Sequence, residues 1–340
     1  MRDEKIDILR FIGLAMVILS HVRPQPSIIL QLRNFDVPLL VWVSAASFGL
    51  SYKDEPYKSY IWKRTKRLLF PTWIFLTTYF LLMLATGYPT VLPDMKTITT
   101  SYLLLTGIGF GYVWIIRVFL LVAIVAPAIF QFSHNTRSHT RYFSILGAIY
   151  VDYEIVLHAS RPLLSSPEEG IFESTVLFIV PYAIVFAVGL RLPELTRNQI
   201  LRLTVGSFVI FGTLGTALFA LSGKFIPTQA FKYPPSIYYL SYALAVSSVI
   251  WLASDTILNR LKSIKISTPA LFVGQNSMWI FLWHIPLIEM IHLPFYFKYP
   301  LIFVLASLAT FIQVRFVRWM LVSKIGNPSI RKNLRLLFTG

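Results

Sequence analysis

The stretch that decides the fold is residues 6–22, IDILRFIGLAMVILSHV, an apolar run that contains an arginine, Arg10, and a histidine, His21. At 3.6 residues per turn, the two are about three turns apart, so a helix places both on one face and about 16 Å apart along its axis. An arginine near a bilayer centre costs about 2.5–3.5 kcal/mol, so a sequence rarely keeps one without a use. The alternative for either residue alone is that His21 lies at the headgroup level and Arg10 snorkels to the other surface.

The composition is that of an integral membrane protein. The 340 residues are 56% hydrophobic and 14% charged, whereas soluble domains carry about 25% charged residues. The absence of cysteine excludes disulfides, thiolate metal sites and a cysteine nucleophile. The net charge of +16 is explained by Lys and Arg in cytoplasmic loops rather than by nucleic-acid binding.

Ten segments are long and apolar enough to span a bilayer. Their short polar connections and the lack of repeats predict an all-α fold, a polytopic membrane helical bundle in which residues 1–340 form one domain. Alternating sides along the chain places 22 Lys and Arg residues on one side and 7 on the other, which predicts that both termini are cytoplasmic. The predicted spans are 6–24, 36–52, 68–87, 112–132, 142–158, 172–190, 203–222, 237–255, 270–290 and 300–320.

The first candidate site is on the first span. Asp7 lies one turn before Arg10 and can pair with it, which lowers the cost of burying the arginine. An imidazole titrates near neutral pH and is a good nucleophile, so His21 is a candidate proton acceptor or acyl carrier.

The second candidate site is the basic run WKRTKRLLFPTW at residues 62–73. Arg64 and Arg67 are three residues apart and share a face where the third span enters the membrane, with Lys63 and Lys66 beside them. Guanidinium groups bind phosphates bidentately, so this run predicts a grip on a phosphorylated cytoplasmic ligand. The alternative is a positive-inside stop signal or contact with anionic lipid headgroups.

Further polar and ionisable residues within the spans are functional candidates because such groups seldom face lipid. A carboxylate such as Glu154 is a candidate to orient the His21 imidazole. The sequence contains no HExxH, Walker A, GxSxG or dinucleotide-binding motif, so neither a metal site nor nucleotide hydrolysis has local support. The remaining candidates for supporting roles are Trp114, Arg117, Ser277 and His284.

These features together resemble the bacterial type-3 acyltransferase family, multi-spanning enzymes that acylate surface polysaccharides. The resemblance is carried by the DILR run of residues 7–10 followed by His21, and by RTKR at residues 64–67. Weaker support comes from VPLLVWVSAASFGLS on the second span, and from YVWIIR, KYPPSIYYL and SMWIFLWHIP further on. The resemblance extends over essentially the whole chain.

The resemblance implies a membrane O-acyltransferase of the bacterial inner membrane. Its donor would be acetyl-CoA from the cytoplasm, and its acceptor a hydroxyl of a cell-surface glycan, such as the O-antigen of lipopolysaccharide or an exopolysaccharide. It implies that Arg10 and His21 are the catalytic pair and that Arg64 and Arg67 receive the coenzyme phosphates. No metal is expected.

The chain departs from the family pattern in two places. The second span reads SAASFG over residues 44–49 where the family has Ser-Gly-Phe, so the tight helix contact that this glycine makes is not expected here. An extracytoplasmic hydrolase-like domain, which some members carry, is not expected, and the chain resembles the stand-alone branch that acts on lipid-linked glycans. The competing interpretations are a transporter or flippase of a lipid-linked sugar, with the buried charges lining a passage, and a non-catalytic membrane partner.

Overall fold

The computed structural model describes residues 3–87, 93–105, 112–160, 171–323 and 325–339, with only the backbone described for 171–174, 322 and 323. Within these ranges every regular element is a helix, which confirms the predicted all-α class. The helices are α1 (Glu4–His21), α2 (Ser27–Leu32), α3 (Asp36–Ser51), α4 (Tyr57–Thr86), α5 (Met95–Leu103), α6 (Trp114–Asn135), α7 (His139–Ser160), α8 (Ile171–Arg191), α9 (Arg197–Ser222), α10 (Ile237–Ser263), α11 (Ser267–Gln275), α12 (Ser277–Met290), α13 (Phe295–Ser323) and α14 (Pro328–Phe338).

Local sequence signals set several helix ends. The Asp3 side chain caps the start of α1 by accepting a hydrogen bond of 2.9 Å from the Lys5 amide. The helix ends at His21, where the next residue is extended and Pro24 and Pro26 follow closely. Gly87 ends α4 with a φ of +65°, a conformation that glycine adopts without a steric penalty.

Seven helical stretches of the described residues are long and apolar enough to cross a membrane, or eight if one sharply bent pair counts as a single span. The ten segments predicted from the sequence all coincide with helices. The helices α1 and α7 fall outside the set of seven, and both carry ionisable side chains within the predicted spans. The seven are Ser27–Ser51, Tyr57–Thr86, Trp114–Asn135, Thr175–Glu194, Arg197–Ser222, Ile237–Ser263 and Phe295–Leu321.

Two predicted boundaries are wrong in ways that affect function. The third span was expected to begin at residue 68, but α4 begins at Tyr57, so the basic run is helical. Its 30 residues extend about 45 Å, longer than a hydrocarbon core of about 30 Å. The segment 270–290 is not one helix, because α11 and α12 meet at Asn276 with a bend of 88°. There the Asn276 side chain bonds the Phe272 carbonyl at 2.8 Å and caps the end of α11.

The helix α1 lies at the centre of the bundle and contacts α3, α10, α11, α12 and α13. In the resembled family, a glycine of the second span makes a close helix contact. Here a close contact of the second span, α3, is made by a glycine of α8. Gly189 of α8 packs directly on Trp42 of α3, where any Cβ would overlap the tryptophan. Ala45 and Ala46 of α3 are fully buried beside this contact.

The count of Lys and Arg assigns each connecting segment to one side of the membrane. Segments assigned to the same side contact one another. On the side of the N-terminus, Lys5 pairs with Asp255 at 2.7 Å, and Glu4 pairs with Lys262 at 2.5 Å. At the other end of α1, the Asn34 side chain donates to Thr228 at 2.8 Å. These contacts agree with the predicted alternation of sides. Which side is cytoplasmic stays a prediction.

Candidate functional site

Two histidines meet at the C-terminal end of α1. His21 Nδ1 lies 2.8 Å from Nε2 of His284, a residue of α12 that is 263 positions away in the sequence. His284 has no exposed surface, and its Nδ1 contacts the carbonyl oxygen of Phe281. His21 is partly exposed. The arrangement pairs a partly exposed residue with a fully buried imidazole.

An aromatic residue that sequence reasoning had not singled out borders this pair. The Tyr112 ring meets His21 edge to face, with the ring centroids 5.0 Å apart. Its hydroxyl donates to Glu289 Oε1 at 2.7 Å. The only sequence signal for Tyr112 is its position within the YVWIIR run.

The predicted pairing of Asp7 with Arg10 is present. Arg10 Nη1 donates to Asp7 Oδ1 at 3.0 Å, and Gln275 at the end of α11 donates to Asp7 Oδ2 at 3.1 Å. The Asp7 side chain is 1% exposed, whereas 22% of the Arg10 side chain is exposed. The carboxylate is therefore buried and satisfied on both oxygens, and it aims the guanidinium at open space.

That open space is a cavity of about 280 Å³. Three arginines line it from two helices: Arg10 from α1, and Arg64 and Arg67 from α4. The sequence analysis had placed these arginines at two separate sites, and the structure joins them in one. The cavity wall also includes Ser44, Ser47, Ser51, Gln275, Ser277, Met278 and Phe281.

The two lysines of the basic run do not line this cavity, contrary to the expectation that they share the phosphate grip. Lys63 is 63% exposed and pairs with Glu55 outside the bundle. The Lys66 ammonium lies over the Trp62 ring, 5.4 Å from its centroid. Successive residues of a helix point in different directions, so only positions 64 and 67 face inward.

Phe281 connects the cavity to the histidine pair. Its side chain lines the cavity, and its ring centroid lies 5.0 Å from that of His284 and 6.5 Å from that of His21. Phe281 thus lies between the arginine-lined cavity and the histidine pair.

The family model of the acyltransferase domain, acyltransferase 3, matches residues 3–313. The chain belongs to the type-3 acyltransferase family. It is therefore a membrane acyltransferase, which favours the enzyme over the transporter and the non-catalytic interpretations. No curated protein and no solved structure matches the chain.

Other residues predicted to support the site of this acyltransferase lie elsewhere. Trp114 packs edge to face on Tyr233 with centroids 5.3 Å apart, and Arg117 lies 5.7 Å from the Phe178 ring centroid. Both belong to an aromatic cluster between α6 and α8 and are not among the residues that line the cavity. Ser277, by contrast, lines the cavity.

Glu154 does not orient His21, which corrects the suggestion made from the sequence. Its Oε1 accepts a hydrogen bond from the amide of Ile237, at the start of α10. Its other oxygen lies 3.6 Å from His158. In the described part of the chain, the polar partner of His21 is a histidine and not a carboxylate.

The sequence analysis also missed a buried ion cluster near the C-terminal end of α1. Asp36 accepts from Arg33 at 2.6 Å and from Lys232 at 3.1 Å, and all three side chains are less than 5% exposed. Gln229 accepts a further bond of 3.1 Å from Arg33. Arg33 and Asp36 are three residues apart and predict a local pair, but nothing in the sequence connects them to Lys232.

Proposed function

We propose that this acyltransferase moves an acetyl group from acetyl-CoA on the cytoplasmic side to a hydroxyl of a cell-surface glycan, such as an O-antigen unit or an exopolysaccharide. The observation that carries the proposal is the convergence of Arg10, Arg64 and Arg67 on one cavity. Three arginines in the wall of one cavity suit a ligand that carries several phosphates.

The size of the cavity suggests that only part of the acetyl-CoA donor enters it and that the rest stays at the protein surface. Ligand pockets usually measure about 300–1,000 Å³, so a space of about 280 Å³ suits the narrow pantetheine arm. Arg64 and Arg67 line the cavity from α4, and they would hold the phosphates. The arm would then extend past Arg10 toward Phe281, over the roughly 16 Å that separates Arg10 from His21 along α1.

Transfer would take place at His21. In the first route, His21 accepts the proton of the glycan hydroxyl while the oxygen attacks the thioester carbonyl. The carbon–sulfur bond breaks, and the proton returns from His21 to the leaving thiolate. In the second route, the imidazole nitrogen attacks the thioester first and the carbon–sulfur bond breaks to release the thiolate. The acetyl group then passes from nitrogen to the hydroxyl oxygen, and the hydroxyl proton is transferred to the thiolate. Both routes consume one thioester and yield one ester and one free thiol.

The catalytic assignment is tested by His21→Ala. We expect the variant to insert into the inner membrane and to leave the glycan unacetylated, as measured by NMR of the purified polysaccharide. His292→Ala is the matched control because His292 is exposed in the loop after α12, and it should retain normal acetylation. Full acetyl content with His21→Ala would refute the assignment.

The phosphate grip is tested by two double variants that remove equal charge. Arg64→Gln with Arg67→Gln should raise the KM for acetyl-CoA at least about tenfold, because each lost charged hydrogen bond contributes about 1.5–3 kcal/mol. Lys63→Gln with Lys66→Gln should leave the KM within about twofold, since neither lysine lines the cavity. Equal effects of the two pairs would mean that general surface charge, and not the cavity, attracts the donor.

The proposed orientation has both termini in the cytoplasm and ten spans, with α1 and α7 also crossing the membrane. The distribution of Lys and Arg supports it. Because the chain has no cysteine, single substitutions report sidedness without background. Lys58→Cys should be labelled only from the cytoplasm, and Phe225→Cys only from the outside. Labelling of both from one side would contradict the topology.

A further inference from the structure

Three groups at the end of α1 form a continuous hydrogen-bonded series. The Phe281 carbonyl oxygen contacts His284 Nδ1, and His284 Nε2 lies 2.8 Å from His21 Nδ1. The two imidazole planes are inclined by only 16°, with centroids 5.1 Å apart. The distance between the centroids equals the Nδ1–Nε2 distance plus the distance from each centroid to its own nitrogen, so the two centroids and the two nitrogens lie nearly on one line. The rings therefore lie side by side in nearly one plane, which is the geometry of an in-plane N–H···N hydrogen bond.

The backbone carbonyl determines which nitrogens carry hydrogen. A carbonyl oxygen only accepts hydrogen bonds, so His284 Nδ1 must be the donor to Phe281. A neutral imidazole has a single N–H, which leaves a lone pair on His284 Nε2. The hydrogen between the two rings must then belong to His21 Nδ1. It follows that the lone pair of a neutral His21 lies on Nε2, the nitrogen that faces away from His284.

We propose that His284 is a positioning residue that holds His21 as the Nδ1–H tautomer, so that the Nε2 lone pair is presented to the reacting groups. The assignment of His21 as the reacting group rests on the proposed function, whereas the tautomer follows from the contacts of the two rings. Either route of transfer requires a lone pair on this nitrogen.

The arrangement performs the orienting task that a carboxylate performs in hydrolytic triads, but with a neutral group. When His21 Nε2 gains a proton or an acyl group, positive charge spreads over the ring and strengthens the Nδ1–H···Nε2 bond to His284. A neutral orienting group suits this location, because an unpaired carboxylate would be costly to bury where His284 has no exposed surface. Tyr112 meets both rings edge to face, at 5.0 Å and 6.3 Å between centroids, and limits their rotation.

Kinetics of two substitutions test the positioning role. His284→Ala should lower kcat by about 10²- to 10⁴-fold, the range that a well-placed acid–base group contributes, with the KM for acetyl-CoA changed less than about threefold. His284→Gln offers a side-chain oxygen that can accept from His21 Nδ1–H, and it should restore kcat to within about tenfold of wild type. A kcat that is unchanged in His284→Ala, or a KM effect alone, would overturn the proposal.

The tautomer itself is measured without any assay of transfer. Nitrogen NMR of the full-length protein labelled at histidine in nanodiscs distinguishes protonated from unprotonated ring nitrogens, and His21→Ala identifies the His21 signals by their loss. Wild-type protein should show His21 protonated at Nδ1, and His284→Gln should keep that signature. Protonation of wild-type His21 at Nε2 would overturn the proposal whether or not the variants fold. Intact acetylation by His21→Ala with the expected tautomer would instead refute the proposed function and leave the positioning contact standing.

Discussion

Phe281 lies against His21, with ring centroids 6.5 Å apart, and the same phenylalanine lines the cavity into which three arginines project. The aromatic ring is therefore shared by the donor end and the transfer end of the proposed path. On the proposed path, a thioester that moves from the cavity to the imidazole passes this side chain. The size of the Phe281 side chain should determine how tightly cleavage of the donor is coupled to transfer of the acyl group.

Substitution of Phe281 by a smaller residue should uncouple donor use from transfer. Phe281→Leu removes ring atoms from the cavity wall and admits water to the thioester, so acceptor-independent hydrolysis of acetyl-CoA should rise several-fold. Phe281→Trp should instead lower transfer while donor binding is retained. Release of free thiol measured with and without glycan acceptor checks both variants. Unchanged hydrolysis in the leucine variant would show that Phe281 does not separate the two ends.

The contact of Gly274 with Asp7 should not tolerate a methyl group. A Cβ at Gly274 would overlap the carbonyl oxygen of Asp7, so Gly274→Ala should destabilise the protein by about 1–3 kcal/mol. The same change should raise the KM for acetyl-CoA, because α11 moves away from the Asp7–Arg10 pair. Gly206→Ala is the control, since nothing lies within 4 Å of its added Cβ. Thermal unfolding in detergent, followed by tryptophan fluorescence, compares the two; equal melting temperatures would contradict the prediction.

The buried ion cluster should be costly to break and inexpensive to replace as a whole. Asp36→Ala leaves Arg33 and Lys232 buried without their counter-ion, and should cost about 3–5 kcal/mol in stability. The triple variant Arg33→Met, Asp36→Leu, Lys232→Met removes all three charges and should be within about 1 kcal/mol of wild type or more stable. Unfolding of both variants in the same detergent tests the contrast. A triple variant as unstable as Asp36→Ala would show that the loss arises from packing and not from unpaired charge.

The two parts of Tyr112 should have separable roles. Tyr112→Phe keeps the ring against the histidines but removes the bond to Glu289, which should cost about 1.5–3 kcal/mol in stability while kcat stays within a few-fold. Tyr112→Ala should lower kcat strongly because the imidazoles are no longer confined. Initial rates and unfolding curves of the two variants distinguish these outcomes. A large loss of kcat with Tyr112→Phe would instead assign a direct role to the hydroxyl.

The sequence was sufficient for the helices but not for their breaks. Long apolar runs must form helices because a bilayer leaves no water to satisfy an exposed backbone, and each of the ten predicted segments is helical. The bend at Asn276 depends on the Asn276 side chain capping α11 and on Gly274 packing against Asp7. The second of these is a tertiary contact, and hydropathy does not register it.

Part of the candidate site could be predicted because it is local in sequence. Asp7 and Arg10 are one helical turn apart, and Arg64 and Arg67 share a helix face, so spacing alone relates the members of each pair. The contact of His21 with His284 joins positions 263 residues apart, and no periodicity relates them. Expecting a carboxylate beside His21 followed from the usual chemistry of histidine. In the structure, the polar partner of His21 is the imidazole of His284 instead.

The segments on either side of the bend at Asn276 bind opposite ends of α1. Gln275, just before the bend, bonds Asp7, and His284, nine residues later, bonds His21. The first helix is thus fastened at both ends to one continuous partner segment. A single residue inserted between Arg10 and His21 would rotate one end by about 100° relative to the other. The number of residues between Arg10 and His21 is therefore constrained, because both ends of α1 must match the Gln275–His284 segment at the same time.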